Sequence, residues 1–385
     1  MSPVRAEVLT IGVDVGGTTT RAGLVDEVGR LVIAQRFSTP RSADAFLDKL
    51  CAEIDSHRTS DAAHGRGVHA IGLALPGLVD ADRGRLARSV SLPYLEGTPV
   101  RDELAARTGV PVTLMTDADA ATWGEYCAFL AEPAERIPPS QGGTKQDESL
   151  PPSEGGIQGG QSFSPLQGGT QGGRAFVHLR LGTGIACGVV IDGKLQPTGQ
   201  PRTTHWNVLV VDSGPKAKPC PCGLRGCLET IVSGPALEGR AASTPSPFKG
   251  EGWGEGDGTR TQSLNRLEEA FSRNEPAARS IVEEAARALA TAISNLKSEI
   301  AGRRGTDKPQ LVREERDALS VCLGGGVIAA LPCLFEELSA RWLARGDEAV
   351  AIRLARLGDD AGIIGAGLLA KPGTGLPRAN SACRA

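Results

Sequence analysis

Three cysteines fall within eight residues of the stretch KPCPCGLRGCLE, Lys218 to Glu229, as Cys220, Cys222 and Cys227. Gly223 and Gly226 stand between them, and glycine lets a short chain fold back until several sulfurs converge. Thiolates so spaced suit zinc, which favours four tetrahedral ligands. His205, 15 residues before Cys220 across the strand-like NVLVV, is the natural fourth. The plainer alternatives are a buried apolar turn for the cysteines and a hydrogen-bonded surface residue for the histidine. Disulfides fit poorly, because nine cysteines are an odd number and the opening MSPVRAEVLTIGVDVGG lacks the long apolar run of an export signal. A metal with four protein ligands has no open position for water, so it would organise structure and perform no hydrolysis.

Glycine turns form a second group. DVGGTTTR places Asp14 before Gly16, Gly17 and Thr18; LGTGIACG holds Gly182, Thr183, Gly184 and Gly188; LGGGV puts Gly324, Gly325 and Gly326 at a strand end. Such turns can aim backbone N–H groups at phosphate oxygens, with threonine hydroxyls as added donors, although any one of them could be only a tight hairpin. Neither G-x-G-x-x-G nor G-x-x-x-x-G-K-[ST] occurs, which argues against a dinucleotide enzyme or a P-loop ATPase. In MTDADAATWGE, Asp117 stands where a strand gives way to a helix. A carboxylate there could accept a proton from an alcohol or could cap the helix, a task for which Thr116 to Asp119 are well suited.

The elements that must position these residues read as α/β. LTIGVDVGG, TTTRAGLVD and GRLVIAQRFS are strands around turns, followed by a helix over about 43–55, the strand VHAIGLALPG, and PVTLMT before a helical DADAATWGEYCAFL. The strand–turn–strand opening at 8–34 recurs at 174–195 in RAFVHLRLGTGIACGVVIDGKL. Helices over about 265–273 and 277–300 precede the strand ALSVCLGGGVI, and DDAGIIGAGLLA closes the compact part. The recurrence predicts two similar α/β units with a cleft between them. Residues 135–173 and 242–260 are rich in Gly, Gln, Ser and Pro and read as disordered surface insertions; a milder break lies at 301–310. A formal net charge of -3, with 42 Lys+Arg against 45 Asp+Glu, offers no basic surface for nucleic acid. No stretch approaches the roughly 18 apolar residues of a membrane span, so a cytoplasmic protein is expected.

The motifs DVGGTTTRAGLVD, GLALPGLVD, LGTGI, CPCGLRGCLE, LGGGVI and LGDDAGIIGAGLLA, in that order over about residues 8–370, resemble the ROK family of bacterial sugar kinases and sugar-responsive repressors. The resemblance implies a two-lobed actin-like ATPase fold with ribonuclease H-like domains, here 1–115 and 116–385, the last helix at about 359–370 packing back on the first. It also implies closure over a hexose and ATP, usually in a homodimer. The repressor branch carries a helix-turn-helix ahead of its DxGGT stretch; about ten residues precede it here, so DNA binding is not expected.

Carried over residue by residue, the resemblance makes Asp117 the general base of a glucokinase-like phosphoryl transfer, and Asp14 the residue directing Mg²⁺ of MgATP. Gly16, Gly17, Thr18, Gly182, Thr183 and Gly184 would serve the phosphates, and Gly325 and Gly326 the adenosine. His205, Cys220, Cys222 and Cys227 would bind structural zinc, shaping a sugar pocket that includes Thr116, Asp117, Arg202, His205 and Glu229. That pocket departs from the family pattern. Thr116 replaces an Asn before the base, Asp119 replaces a second Asn, and RTTH stands for E-x-G-H, with Arg202 at the Glu position and Thr204 at the Gly. A carboxylate accepts hydrogen bonds from sugar hydroxyls, whereas a guanidinium only donates. Altered specificity or a non-catalytic sugar-binding role is therefore the alternative.

Overall fold

The computed structural model describes residues 8–63, 66–131, 175–198, 209–243, 257–303 and 319–371. The first unit opens with β1 (Leu9–Val15), β2 (Thr19–Val25), β3 (Leu31–Ser38), α1 (Ala43–Thr59) and β4 (Val68–Leu75). It continues through β5 (Leu78–Asp80), β6 (Arg85–Arg88), α2 (Val100–Thr108), β7 (Val112–Thr116) and α3 (Asp117–Leu130). Its main sheet has the order β3-β2-β1-β4-β7. Neighbours β3, β2 and β1 are antiparallel, and β1, β4 and β7 parallel. β1 is buried along nearly its whole length, as a strand covered on both faces must be, and its sequence is correspondingly apolar. α1 starts at Ser42, whose side chain accepts the Ala45 N–H, and it buries Phe46, Leu50 and Ile54 at helical spacing.

The second unit repeats the plan. It contains β8 (Ala175–Leu181), β9 (Ile185–Ile191), β10 (Lys194–Gln196), α4 (Glu229–Val232), α5 (Gly234–Ser243), α6 (Asp257–Ser272) and α7 (Pro276–Arg303). β11 (Leu319–Gly324), α8 (Gly326–Ala330), α9 (Pro332–Leu343) and β12 (Val350–Leu354) complete it. The sheet order is β10-β9-β8-β11-β12, with the same sequence of antiparallel and parallel pairings. Val177, Leu179 and Val321 of the sheet and Leu289 and Ile293 of α7 belong to one core. α6 begins eight residues earlier than the sequence pattern predicts, taking residues 257–260 from the stretch read as disordered; α5 takes Ala242 and Ser243 from its other end. The 135–173 insertion lies outside the described residues. Among them, no helix is long and apolar enough to cross a membrane.

The final helix, α10 (Ala361–Leu369), returns to the first unit and packs against α3, β1, β2 and β4. All nine of its residues are buried. Where the sequence suggests a division at 115/116, α3 groups with the first unit, together with Pro197–Thr198 and Asp359–Lys371. Two physical reasons account for it. β7 runs into α3 with no linker between Thr116 and Asp117, and α3 meets α10 through glycines. A Cβ on Gly365 would stand 1.7 Å from the Ala120 carbonyl oxygen, and one on Gly12 of β1 only 1.9 Å from that of Ile363. Gly365→Ala is therefore expected to lower stability by about 1–3 kcal/mol through overpacking. The control Gly239→Ala in α5, where a Cβ would meet nothing within 4 Å, should raise it by about 0.5–1 kcal/mol. Chemical denaturation of the two variants checks the contrast.

Candidate functional site

The cysteine turn is built by short-range hydrogen bonds. Val210 and Cys227 form one β-bridge and Pro219 and Arg225 another. Between them Cys220 N–H donates to Leu224 O at 2.8 Å, and Gly226 N–H donates to Lys218 O at 2.8 Å. Gly223 and Gly226 adopt φ of 92° and 70°, and a Cβ on Gly226 would lie 1.7 Å from Asp212 O. Only glycine fits there. The three sulfurs lie within 4.8 Å of one another. Cys222 Sγ and Cys227 Sγ are 3.5 Å apart, far beyond the roughly 2.05 Å of a disulfide. That separation is close to the edge, about 3.8 Å, of a tetrahedron built on zinc–sulfur bonds of about 2.3 Å. Burial, then the neighbouring thiols, pushes Cys227 up to about 12. Burial opposes ionisation of Cys222 too, but the Leu224 amide and the two other thiols outweigh it and hold this group below the ordinary value. The donor set fits a soft divalent cation. His205, the expected fourth ligand, lies outside the described residues, as do Arg202 and Thr204.

Glu229 follows the turn directly and opens α4. Its Oε2 accepts the Ile185 N–H at 3.1 Å and would lie 3.1 Å from a Cβ on Gly184. The glycine turn between β8 and β9 is held further by Gly182 N–H to Gly184 O at 3.0 Å and Gly234 N–H to Gly182 O at 2.8 Å. Thr183 and Gly184 remain exposed. Gly325, at φ 94°, would carry a Cβ 2.4 Å from Leu181 O, and Gly326, which starts α8, is exposed. Gly182 to Gly184, Gly325, Gly326 and Glu229 are thus gathered in the second unit around the end of β8. The link from Glu229 to this turn has no signal in the sequence, since 44 residues separate its partners.

In the first unit, Asp14 stands one residue before the end of β1, beside the turn of Gly16, Gly17 and Thr18. Gly16 N–H donates to Thr19 O at 2.9 Å, and Thr39 braces the turn by donating its N–H to Thr18 O at 2.9 Å and its hydroxyl to Gly16 O at 2.8 Å. Gly17 and Thr18 are exposed. The Asp14 carboxylate packs against Gly362, in the first turn of α10, where a Cβ would come within 2.4 Å of Oδ2; a helix N-terminus favours a negative charge. Arg21, Asp14's partner across the β1–β2 ladder, reaches the same end of α10, donating to Asp359 O and pairing with Asp360 Oδ1 at 2.6 Å. The motif arginine therefore fastens the last helix, a role the sequence reading does not assign.

At the start of α3 the capping falls to Thr116. Thr116 is the N-cap, its hydroxyl accepting the Asp119 N–H at 3.0 Å. Asp117 is the first helical residue, half-buried, with Oδ1 accepting the Ala118 N–H at 2.9 Å. Asp119 is buried and receives the Thr198 N–H and hydroxyl. Burial pushes its carboxyl up to about 6, although the hydrogen bonds from Thr198 favour the charged form. Because the folded value exceeds the ordinary 3.8, the native protein holds this proton more tightly than the unfolded chain. The resulting stability is complete below about pH 3.8 and is lost as pH rises through about 6, a swing of about 3 kcal/mol. Asp119→Asn cannot ionise, so its unfolding free energy should gain on the wild type by about that amount between about pH 4 and 7. Urea titrations across the range check this; parallel pH curves would contradict it.

Residues 10–136 and 165–372 match the ROK family. The chain belongs to the ROK family. It is 27% identical to a ROK hexokinase from Thermus thermophilus, with a TM-score of 0.64 over 94% of this chain and 97% of the other. A ROK glucokinase from Streptomyces griseus, solved with glucose and AMPPNP, is 28% identical, with a TM-score of 0.60 over 94% and 99%. The glucokinase of Streptomyces coelicolor is 28% identical over 245 residues, which span 62% of this chain and 61% of the relative. In this ROK chain, the two matched segments take in all three glycine turns, the α3 start and the cysteine turn.

Proposed function

We propose that this ROK protein is an ATP-dependent sugar kinase of glucokinase type, with Asp117 as general base. The observation that carries the reading is the division of labour at the head of α3: Thr116 does the capping, so an acid at 117 is not needed for the helix. In the reaction, the Asp117 carboxylate takes the proton of a sugar hydroxyl as its oxygen bonds to the γ-phosphorus. The bond from that phosphorus to the β,γ-bridging oxygen breaks, and ADP leaves. The Gly16–Thr18 and Gly182–Gly184 turns, exposed at Gly17, Thr18, Thr183 and Gly184, serve the phosphates, while Gly325 and Gly326 border the adenosine. Mg²⁺, directed by Asp14 through water, would neutralise phosphate charge. Zinc on His205, Cys220, Cys222 and Cys227 has a structural part. The matching strand orders of the two sheets support an actin-like fold with duplicated ribonuclease H-like domains. We further read the protein as a cytoplasmic homodimer with no DNA partner.

A second reading, sugar binding without useful turnover, is favoured by one observation: Thr116 and Asp119 commit polar atoms to Thr198, whereas the family pattern has Asn at both positions. Coupled ADP-release assays on hexoses, amino sugars and sugar acids decide between the two. Turnover with any of them supports the kinase; tight binding with no turnover supports the alternative. Arg202 bears on the choice of sugar, because a guanidinium in the pocket pairs with carboxylate or phosphate. Arg202→Glu is then expected to shift the ratio of glucose to glucuronate affinity by at least about tenfold. An unchanged ratio removes Arg202 from the pocket.

A further inference from the structure

Thr198 and Asp119 are 79 residues apart in the chain, yet the Asp119 carboxylate takes both donors of Thr198. The Thr198 N–H lies 3.1 and 3.3 Å from the two carboxylate oxygens, and its hydroxyl 2.9 Å from Oδ1. The Thr116 and Thr198 hydroxyls are 2.9 Å apart. A hydroxyl has one proton to give. That of Thr198 goes to the carboxylate, so that of Thr116 goes to Thr198, while Thr116 Oγ1 accepts the Asp119 N–H at 3.0 Å. The three residues are 4%, 3% and 1% exposed for Thr116, Asp119 and Thr198, so water does not compete for these bonds. The chain of donors closes on itself with every proton used.

Such a closed network has a mechanical consequence. A threonine side chain at a helix start has more than one accessible rotamer, and the cap bond alone is a single tether. Here Thr116 is held at two points, one through Thr198, and with it the extended backbone at φ -79° and ψ 155° from which the next residue departs into the helix. That next residue is Asp117. An apolar pair could fill the same space without burying a carboxylate, which is unfavourable unless its hydrogen bonds are complete.

We propose that Asp119 is a positioning residue for Asp117: acting through Thr198, it locks the Thr116 cap and so sets the direction of the base. The inference rests on Asp117 being the base, and misplacement of a reacting group by about 1 Å can lower rate by about 10²-fold. Thr198→Val keeps the size but removes the hydroxyl. It is expected to lower kcat about 10–100-fold with KM for ATP within about twofold of wild type, and Thr198→Ser should restore kcat to within about threefold. A folded Thr198→Val protein with wild-type kcat would overturn the proposal, as would a Thr198→Ser protein as impaired as Thr198→Val. Amide exchange by NMR gives a readout that needs no turnover. The Thr198 N–H should be protected in wild type and exchange at least about tenfold faster in Asp119→Ala; no protection in wild type, or no change in the variant, refutes the anchor. If wild type phosphorylates none of the sugars, the kinase reading and the base-positioning role fall together, while exchange alone decides whether the anchor exists.

Discussion

Asp117→Asn is expected to lower turnover by about 10²–10⁴-fold while nucleotide binding survives. The substitution keeps the size of the side chain and an oxygen able to accept the Ala118 N–H, which Asp117 now receives at 2.9 Å. The carboxylate's charge, and with it the ability to take a proton, is lost. Helix stability should hardly change, since the cap is Thr116; by contrast Thr116→Ala is expected to lower stability by about 1 kcal/mol. Steady-state kinetics on the sugar that turns over, together with titration by a non-hydrolysable nucleotide, check the pair. Wild-type turnover in Asp117→Asn would remove the base from this position.

Purified protein is expected to carry one zinc per chain, and Cys220→Ser, Cys222→Ser and Cys227→Ser are each expected to lose it. Structural zinc sites bind with roughly 10–16 kcal/mol in small peptides. Forfeiting even about 4 kcal/mol would lower the Tm of a unit of this size by about 8–16 °C. The effect should reach the Gly182–Gly184 turn proposed to serve the phosphates. Glu229 stands two residues after Cys227 and holds the Ile185 N–H beside Gly184, so a loosened cysteine turn should weaken ATP binding as well as stability. Metal retention should fall as pH falls, because protons compete with the cation for the thiolates. Elemental analysis and calorimetry test this. Well under one zinc per chain, with no gain after refolding with zinc, would end the assignment, and Cys51→Ser serves as the control outside the cluster.

Much of this was written in local sequence. The cysteine turn is legible because its three cysteines and two glycines lie within eight residues, so spacing alone brings the sulfurs close. The two strand–turn–strand openings are legible because buried strands need continuous apolar runs and their turns need glycine. A base role for Asp117 is legible only as one of two readings, since an Asp at a strand–helix junction has the same local signature whether it caps or reacts.

What only the tertiary structure decided depends on residues far apart in the chain. It assigned the cap to Thr116, because the geometry of the junction turns that hydroxyl toward the Asp119 N–H. It placed α3 and α10 in one unit, because glycines in each let their backbones approach more closely than any Cβ would allow. It gave Arg21 to the head of α10 across 339 residues, and Glu229 to the Ile185 amide across 44. It also turned Asp119, a departure from the family pattern in sequence, into the centre of a hydrogen-bond network with Thr198. A sequence specifies such bonds only through the fold, since a hydrogen bond requires its two atoms within about 3 Å, a condition that chain separation neither grants nor forbids.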